Sequence, residues 1–448
     1  MKTGLNTMFL LALCVSATAY SPANDGWHWS SPREEIRPAF ARTDVGDSKT
    51  GPELSIDTVD REGTQGTWQR TFKIKGGRHY RFRALLTTRN VSLPRRSVVA
   101  KITWQNANGQ LVPNDNPTNR KWLRSGTSTH RPDYPMTERD AGSGWTEVSD
   151  TYRAPVKATR ALVELKFRWA PPRSSVRWKQ ISLAAVPAPR KRIVRLASVH
   201  FKPRTKERTL KANRESYAPF IAEAAKRNAD FVVLGETIGV YATGKTYAEV
   251  AEPIPGPSTD YFGQLAKQHD LYIVVGLNER DGHLIYNVAV LVGPDGKVVG
   301  KYRKTCLPRG EADGGITPGN SYPVFQTRFG KVGMMVCYDA FFPEVARQLT
   351  INGAEVIALP VWGCNPELAA ARATENHVYL VSSTYTDHNQ NWIKTAIFSH
   401  EGEMIEQAKE WGEVIVAEVD LNARTHWHGL GDFKARIARG RPEWTVEK

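Results

Sequence analysis

Hydrophobic and polar positions follow two different rhythms along the chain. Between Trp27 and Val186, short runs alternate apolar and polar residues and are separated by Gly, Pro and Asn: TWQRTFKIKGG, HYRFRALLTT, SVVAKITWQNANG, ALVELKFRWA and SVRWKQISLAAV. Successive side chains of a strand point to opposite faces, so a period of two without a helical repeat predicts an antiparallel β-sandwich. The Asn108-Gly109 pair predicts a hairpin between residues 102–105 and 111–112. After Val186-Pro187-Ala188-Pro189, read as a short stiff linker, the rhythm changes. Apolar runs at 193–199, 231–234, 271–277, 285–292, 298–302, 356–359 and 378–385 predict strands, and 206–228, 259–269, 343–352 and 367–376 predict helices. A turn is expected at Pro294-Asp295-Gly296. Strands alternating with helices predict an α/β fold with helices covering a sheet. The expected organisation is therefore residues 20–188 as a β-sandwich and 190–448 as an α/β domain, with 1–19 set apart below.

Three strand ends carry candidate chemistry. In KVGMMVCYDAFFPE, the apolar run Val332 to Val336 ends at Cys337-Tyr338-Asp339 before Pro343 and Glu344 open a helix. A thiol there lies beside backbone N–H groups that stabilise a thiolate, although most lone cysteines are small buried hydrophobes. DFVVLGE is an apolar strand ending in Glu236, and GKYRKTCLP is a basic strand end carrying Lys304. Taken singly, Glu236 reads as a solvent-facing carboxylate and Lys304 as one of several surface lysines; the presence of Cys337 gives both another meaning.

A Glu, a Lys and a Cys at successive strand ends resemble the Glu-Lys-Cys triad of the nitrilase superfamily of carbon-nitrogen hydrolases, over roughly residues 192–418. The resemblance implies a four-layer αββα sandwich, a dimer or larger homo-oligomer, and chemistry without metal or organic cofactor. It assigns Cys337 as nucleophile, Glu236 as general base and acid, and Lys304 as fixed charge for the oxyanion, with the Tyr338 N–H as second donor. Glu311, in LPRGEADGGITPG, matches a second glutamate that holds the lysine and helps to orient substrate. Cys306 departs from the pattern, since the family usually has His there, and this bears on the substrate class. Asp339, Glu344, Arg372, Glu375 and Asn376 match positions that read as helix caps and buried polar pairs. Trp362 and Cys364, in PVWGCN, are expected to line the pocket, with Trp362 as a flat apolar wall or else a residue of the core or of a dimer interface.

Composition and termini add context. Lys2, an apolar core from Met8 to Val15 and Ala17-Thr18-Ala19 read as a signal peptide over 1–19, too short to span a bilayer, so the chain is expected to be exported to the periplasm or beyond. Its removal leaves Cys306, Cys337 and Cys364, an odd set with at least one free thiol; a Cys306 to Cys364 disulfide stays open, and the spacings fit no zinc site. Residues 20–189 hold 28 Lys and Arg against 16 Asp and Glu, a net of +12, whereas 190–448 hold 32 against 30, a net of +2. A basic β-domain rich in tryptophan (Trp27, Trp29, Trp68, Trp104, Trp122, Trp145, Trp169 and Trp178) suits an acidic glycan, a membrane surface or nucleic acid, or is a solvated surface over a Trp-rich core. The run GWTEVSDTYRAPVKATRALVELKF followed by VRWKQISL resembles the last strands of jelly-roll carbohydrate-binding modules. No nucleic-acid motif is present.

The expected function is an exported thiol amidohydrolase acting on a non-peptide C–N bond, with an amide ahead of a nitrile or N-carbamoyl substrate. The alternative is a secreted glycan-binding protein that keeps the hydrolase domain as a scaffold, which the intact Glu, Lys and Cys oppose. An acyltransferase with the same triad is a third reading, whose membrane-embedded form has transmembrane helices.

Overall fold

The computed structural model describes residues 26–44, 51–115, 130–427 and 431–442. The signal-like stretch 1–19 and Trp122 lie outside them. Two compact units result: Met1–Pro189 together with His426–Lys448, and Arg190–Thr425. This corrects the expectation that 190–448 forms one body. The segment after Thr425 belongs with the first unit, where His426 meets Asp133 at 3.0 Å and Arg95 donates to the Ala438 carbonyl at 2.6 Å. Those bonds join residues far apart in sequence, which no local pattern announces.

The first unit is sheet-rich. One antiparallel sheet orders its strands His28–Ser30, Gln65–Lys73, Arg160–Arg168, Val98–Gln105. A second orders Ala39–Thr43, Glu53–Asp57, Ser175–Val186, His79–Arg89, Thr146–Arg153, Thr137–Asp140. The alternating runs become these strands because every second residue enters one shared core, as Ile102, Trp104, Val163 and Leu165 do from one sheet and Phe82, Ala84, Val176 and Trp178 from the other. The Asn108-Gly109 turn forms, with Gly109 at φ +79° and Gln105 bridging to Leu111. Trp27, Trp68, Trp104 and Trp178 are buried in the core, while Trp145 is half-buried and Trp169 exposed.

In the second unit, one sheet orders Val298–Arg303, Leu284–Val292, Tyr272–Asp281, Phe231–Val233, Ile193–His200, Glu413–Asp420. The other orders Val324–Gln326, Lys331–Met334, Val356–Val361, Tyr379–Thr384, Ala396–Phe398, Met404–Gln407. Central strands of each pair in parallel and the edges antiparallel. Because the strand period is two, Phe231 and Val233 pack with Val332, Met334 and Val356 of the facing sheet, whereas Val232 and Leu234 pack with Tyr217, Ile221 and Phe262 of the covering helices. Strands buried on both faces read as continuous apolar runs for this reason. Helices Pro343–Ile351 and Leu368–Asn376 cover the second sheet through Val345, Leu349, Ala369 and Ala373, completing a helix–sheet–sheet–helix stack. Ser198 and Ser383 stitch the sheets by donating to the carbonyls of Ser382 and Val199 at 2.8 and 2.7 Å.

Local differences from the expected elements have identifiable causes. The helix expected over 206–228 is two helices, Leu210–Glu215 and Ala218–Lys226, because Pro219 lacks an N–H and its ring clashes with the carbonyl four residues back. The strand expected to run to Val336 ends at Met334, and a 3₁₀ turn, Cys337–Phe341, intervenes before the helix at Pro343. Cys306, Cys337 and Cys364 are all free thiols, which closes the disulfide left open above. No helix among the described residues is long and apolar enough to cross a membrane.

Two glycines let the central strands approach. A Cβ on Gly276 would lie 2.5 Å from the Glu236 Cα and 2.7 Å from the Gly235 carbonyl, and one on Gly235 would enter the Tyr385 ring. We therefore expect Gly276→Ala to destabilise the second unit by about 1–3 kcal/mol, as overpacking does. Chemical denaturation should show this as a lowered midpoint with an unchanged slope; an unaltered midpoint would contradict the contact.

Candidate active site

Glu236 follows the strand Phe231–Val233 through two further residues held in register, Leu234 N–H donating to the Val274 carbonyl at 2.8 Å and Gly276 N–H to the Gly235 carbonyl at 3.0 Å. Its carboxylate is buried and fully engaged. Oε1 accepts from Lys304 Nζ at 3.0 Å and from Asn287 Nδ2 at 2.8 Å, and Oε2 accepts from the Trp362 N–H at 2.6 Å. Tyr385 donates its hydroxyl to the Glu236 carbonyl at 2.8 Å, fixing the backbone as well.

Lys304 directly follows the strand Val298–Arg303 and is 0% exposed. An ammonium so placed is sustained only by opposite charge. Two carboxylates supply it: Glu236 at 3.0 Å and Glu311, from the short helix Arg309–Asp313, at 2.6 Å. Burial alone would lower the Lys304 pKa, but Glu236, with Cys337 and Glu311, drives it far above the usual lysine range. Burial raises the Glu311 carboxyl against the opposing pull of Lys304. Asn287 donates to both carboxylates, to Glu311 at 3.1 Å, and so closes a buried ring of four polar side chains.

Cys337 opens the 3₁₀ turn at φ +43°, a left-handed conformation that a non-glycine residue holds only when its surroundings impose it. The imposing contact is Asp339. Its carboxylate accepts from the Val336 N–H at 2.8 Å, the Tyr302 hydroxyl at 2.9 Å, the Cys306 N–H at 2.9 Å and the Thr305 hydroxyl at 3.2 Å. One buried carboxylate thus ties the turn bearing Cys337 to the chain just after Lys304. Arg372 holds the far end of the turn, donating to the Ala340 carbonyl at 3.0 Å and pairing with Glu375 at 2.8 Å. The thiol is buried and donates to the Gly363 carbonyl at 3.4 Å. Burial pushes its pKa well above the cysteine range and Glu236 adds to this, while Lys304 opposes it, so the resting group is a neutral thiol.

The remaining expected residues divide. Glu311 sits in the buried ring. Tyr338 places its N–H in the first turn of the 3₁₀ segment, where backbone donors have no intrahelical acceptor, and its ring packs on Phe341 and Phe342. Trp362 is 44% exposed and lines a cleft of about 560 Å³ with Tyr241, Gly363, Tyr385, Thr386 and Trp392. Cys364 is a correction: it is 1% exposed and belongs to the hydrophobic core, because the chain turns inward after Gly363 and the Cys364 carbonyl accepts from Ile393. Cys306 is half-buried and acts through its backbone N–H on Asp339. Asn287 and Tyr385 are additions that the sequence reading missed. The available signal for Asn287 is a lone amide inside the otherwise apolar strand Leu284–Val292. Among the described residues no group of three or more His, Cys, Asp or Glu is arranged to hold a metal ion.

The family comparison decides what this arrangement belongs to. Residues 195–428 match the carbon-nitrogen hydrolase family. The chain is a carbon-nitrogen hydrolase of the nitrilase superfamily. It is 37% identical over 241 residues to a nitrilase of Pyrococcus abyssi, covering 51% of this chain and 90% of that one. It is 34% identical over 224 residues to an omega-amidase of Xenopus tropicalis, covering 45% of this chain and 80% of the relative. Among solved structures it is similar to Nit3 of Saccharomyces cerevisiae, a member of branch 10 of the nitrilase superfamily, at 26% identity and a TM-score of 0.46, over 52% of this chain and 93% of that one. All of these matches fall on about half of the hydrolase chain.

Asn287 bridges the two carboxylates that hold Lys304. Asn287→Ala should lower kcat on the order of tenfold or more while the fold is retained, since it loosens both acceptors of a charge-assisted network. The check is steady-state turnover beside a circular-dichroism melt; full turnover in the folded variant would remove Asn287 from the site.

Proposed function

We propose that this carbon-nitrogen hydrolase is an exported thiol amidohydrolase that cleaves a non-peptide amide through Glu236, Lys304 and Cys337. The observation that carries the reading is Lys304, fully buried and held by two carboxylates beside a buried neutral thiol. The names of the nitrilase and omega-amidase relatives support an amide ahead of a nitrile or an N-carbamoyl group.

The steps follow from the groups present. A neutral thiol is a poor nucleophile, so the proton of Cys337 passes to Glu236 as Sγ attacks the amide carbon. Charge then develops on the carbonyl oxygen, where the Lys304 ammonium and the Tyr338 N–H stabilise it. Glu236 returns the proton to the leaving nitrogen, the C–N bond breaks, and an acyl thioester on Cys337 remains with free amine or ammonia as first product. Water, deprotonated by Glu236, attacks the thioester; the C–S bond breaks and the thiol recovers the proton as the carboxylic acid leaves. Glu311 and Asn287 hold Lys304 and Glu236 in place throughout.

For the first unit we propose a jelly-roll sandwich that targets the enzyme to an acidic glycan, supported by the net +12 charge of residues 20–189 and by rings that carry cations. Trp145 has Lys179 Nζ 3.7 Å and Arg177 5.3 Å from its ring, and the exposed Trp169 has Arg168 at 4.0 Å. Several arginines of the same sheet are tied to carboxylates, as Arg83 is to Glu147 and Arg177 to Glu53, so the surplus lies in the remainder. Export rests on the signal-like residues 1–19, and a homo-oligomer on the family resemblance.

Mass analysis of intact protein after a slow amide should show an acyl adduct that Cys337→Ala lacks, and an adduct on Cys306 or Cys364 would overturn the assignment. Lys304→Ala and Glu236→Gln should each lower kcat by a factor on the order of 10² or more, as loss of an oxyanion donor or general base does; undiminished turnover removes that residue from the mechanism. For targeting, the full mature chain should be retained on a column of acidic polysaccharide at low salt and released as salt rises. Screening over roughly 8 Å at physiological ionic strength underlies this release. Absence of retention at low salt would refute it.

A further inference from the structure

In the first unit, a cluster of arginines is assembled from three segments far apart in the chain. Arg168 closes the strand Arg160–Arg168, and the Trp169 that follows it is 50% exposed. Arg96 comes from the short helix Pro94–Ser97, and Arg436 and Arg439 come from the C-terminal helix Phe433–Gly440, where residues three apart share a face. The two helices are tied by Arg95, which donates to the Ala438 carbonyl at 2.6 Å, and Arg168 Nε reaches the Arg96 carbonyl at 3.4 Å. The guanidinium groups of Arg168 and Arg96 lie 4.0 and 5.7 Å from the centre of the Trp169 ring, and that of Arg439 lies 4.3 Å from the centre of Tyr134.

The charge gathered here is not balanced from within. Arg168, Arg436 and Arg439 have no carboxylate within ion-pair distance among the described residues, whereas Arg83, Arg89, Arg173 and Arg177 of the same unit are paired. Arg439 is 8% exposed and its Nη1 has no hydrogen-bond partner. Asp432 and Glu138 act on it from beyond ion-pair distance, and Asp432 caps the helix by accepting from the Ala435 N–H at 3.4 Å. Burial lowers the Arg439 pKa to about 10, against Tyr152, Tyr134 and Asp432, and the charge of Arg168 adds to the fall. Burial lowers Arg168 as well, and Arg436 and Arg96 push it further down against Tyr134. Like charges this close repel, and burial removes the water and salt that would screen them. An anion seated among them relieves that repulsion.

We propose that Arg168, Arg436 and Trp169 form a binding site for an acidic sugar unit, a uronate or a sulfated sugar, which the C-terminal helix completes and the buried Arg439 backs with positive charge. The site deepens the glycan-targeting reading of this unit and rests on it for the choice of a polysaccharide. A planar guanidinium fork takes a carboxylate or a sulfate through two parallel bonds. An acidic sugar carries such a group next to an apolar C–H face, and the exposed Trp169 ring beside Arg168 offers the matching surface. A bilayer is gripped by several apolar side chains beneath the cations, whereas Trp169 stands among arginines. The last helix of the chain thus serves the first unit, and the site exists only once that helix has docked.

The test uses the full mature chain and three variants: Arg168→Gln with Arg436→Gln, Trp169→Ala, and Lys73→Gln with Lys157→Gln as a charge-matched control. Both control lysines are exposed, and Lys73 pairs with Arg160, at the opposite end of the strand that carries Arg168. Affinity is read by calorimetry with trigalacturonate, retention on columns of polygalacturonate and of dextran sulfate, and folding by a circular-dichroism melt. The double arginine variant should bind trigalacturonate on the order of tenfold or more weakly than the parent, the size of a lost charge-assisted bond, and should leave the columns at lower salt. The lysine control should stay near the parent. Trp169→Ala keeps every charge and should also bind trigalacturonate less well; unchanged binding there would reduce the cluster to a bare anion site and overturn the sugar. Retention by one column and not the other identifies the recognised group as carboxylate or sulfate. Equal weakening by the arginine and lysine pairs overturns the site and leaves targeting to the diffuse charge of the unit. A parent chain that neither column retains, yet which binds trigalacturonate through the two arginines, refutes targeting and keeps the site. Binding to phosphatidylglycerol vesicles through the arginines, with none to either sugar probe, assigns the cluster to a membrane and overturns the proposal.

Discussion

The burial of one ammonium, that of Lys304, organises the second unit around the site. A lysine removed from water must have its charge met within the fold, and here the partners are Glu236 after one strand and Glu311 from a short helix, with Asn287, from the middle of a neighbouring strand, donating to both carboxylates. Removing one partner of such a pair typically costs about 3–5 kcal/mol, because an uncompensated charge stays behind. The arrangement is therefore all or none. Glycines at 235 and 276 and the serine bonds between sheets let the strands come close enough for it to form.

The same constraint explains the state of Cys337. Burial is the main penalty on a thiolate and the Glu236 charge adds to it, outweighing the pull of Lys304, which two carboxylates already share. A thiol kept neutral until a base removes its proton reacts slowly with alkylating and oxidising agents, since the thiolate is the reactive form. Asp339 places the thiol: its four accepted bonds hold the strained turn and the end of the lysine strand in one rigid piece. Departure from His to Cys at position 306 leaves this clamp intact, because it is the backbone of Cys306 that donates.

The first unit answers to a different constraint. Its strands alternate because each sheet has one face in a common core and one face in water, and four of its tryptophans are consumed by that core. Two of the remaining rings, Trp145 and Trp169, carry lysine and arginine over their faces.

The sequence by itself determined whatever depends on neighbours along the chain. The central strands and covering helices of the second unit, the Asn108-Gly109 and Pro294-Asp295-Gly296 turns, and the segments bearing Glu236, Lys304 and Cys337 were legible, because period and turn chemistry are local, whereas the short strands Val324–Gln326, Ala396–Phe398 and Met404–Gln407 and the edge strand Glu413–Asp420 were not. Glu311 was legible only through the family resemblance. The tertiary structure decided what depends on residues distant in sequence. Asn287 looks like a flaw in an apolar strand until Glu236 and Glu311 are brought to it; Cys364 looks like a cleft residue until Gly363 turns it into the core; and the C-terminal segment looks like part of the second unit until His426 finds Asp133. A side chain's type is written in the chain, but whether its charge is satisfied is a property of the space around it, and that space exists only in the folded molecule.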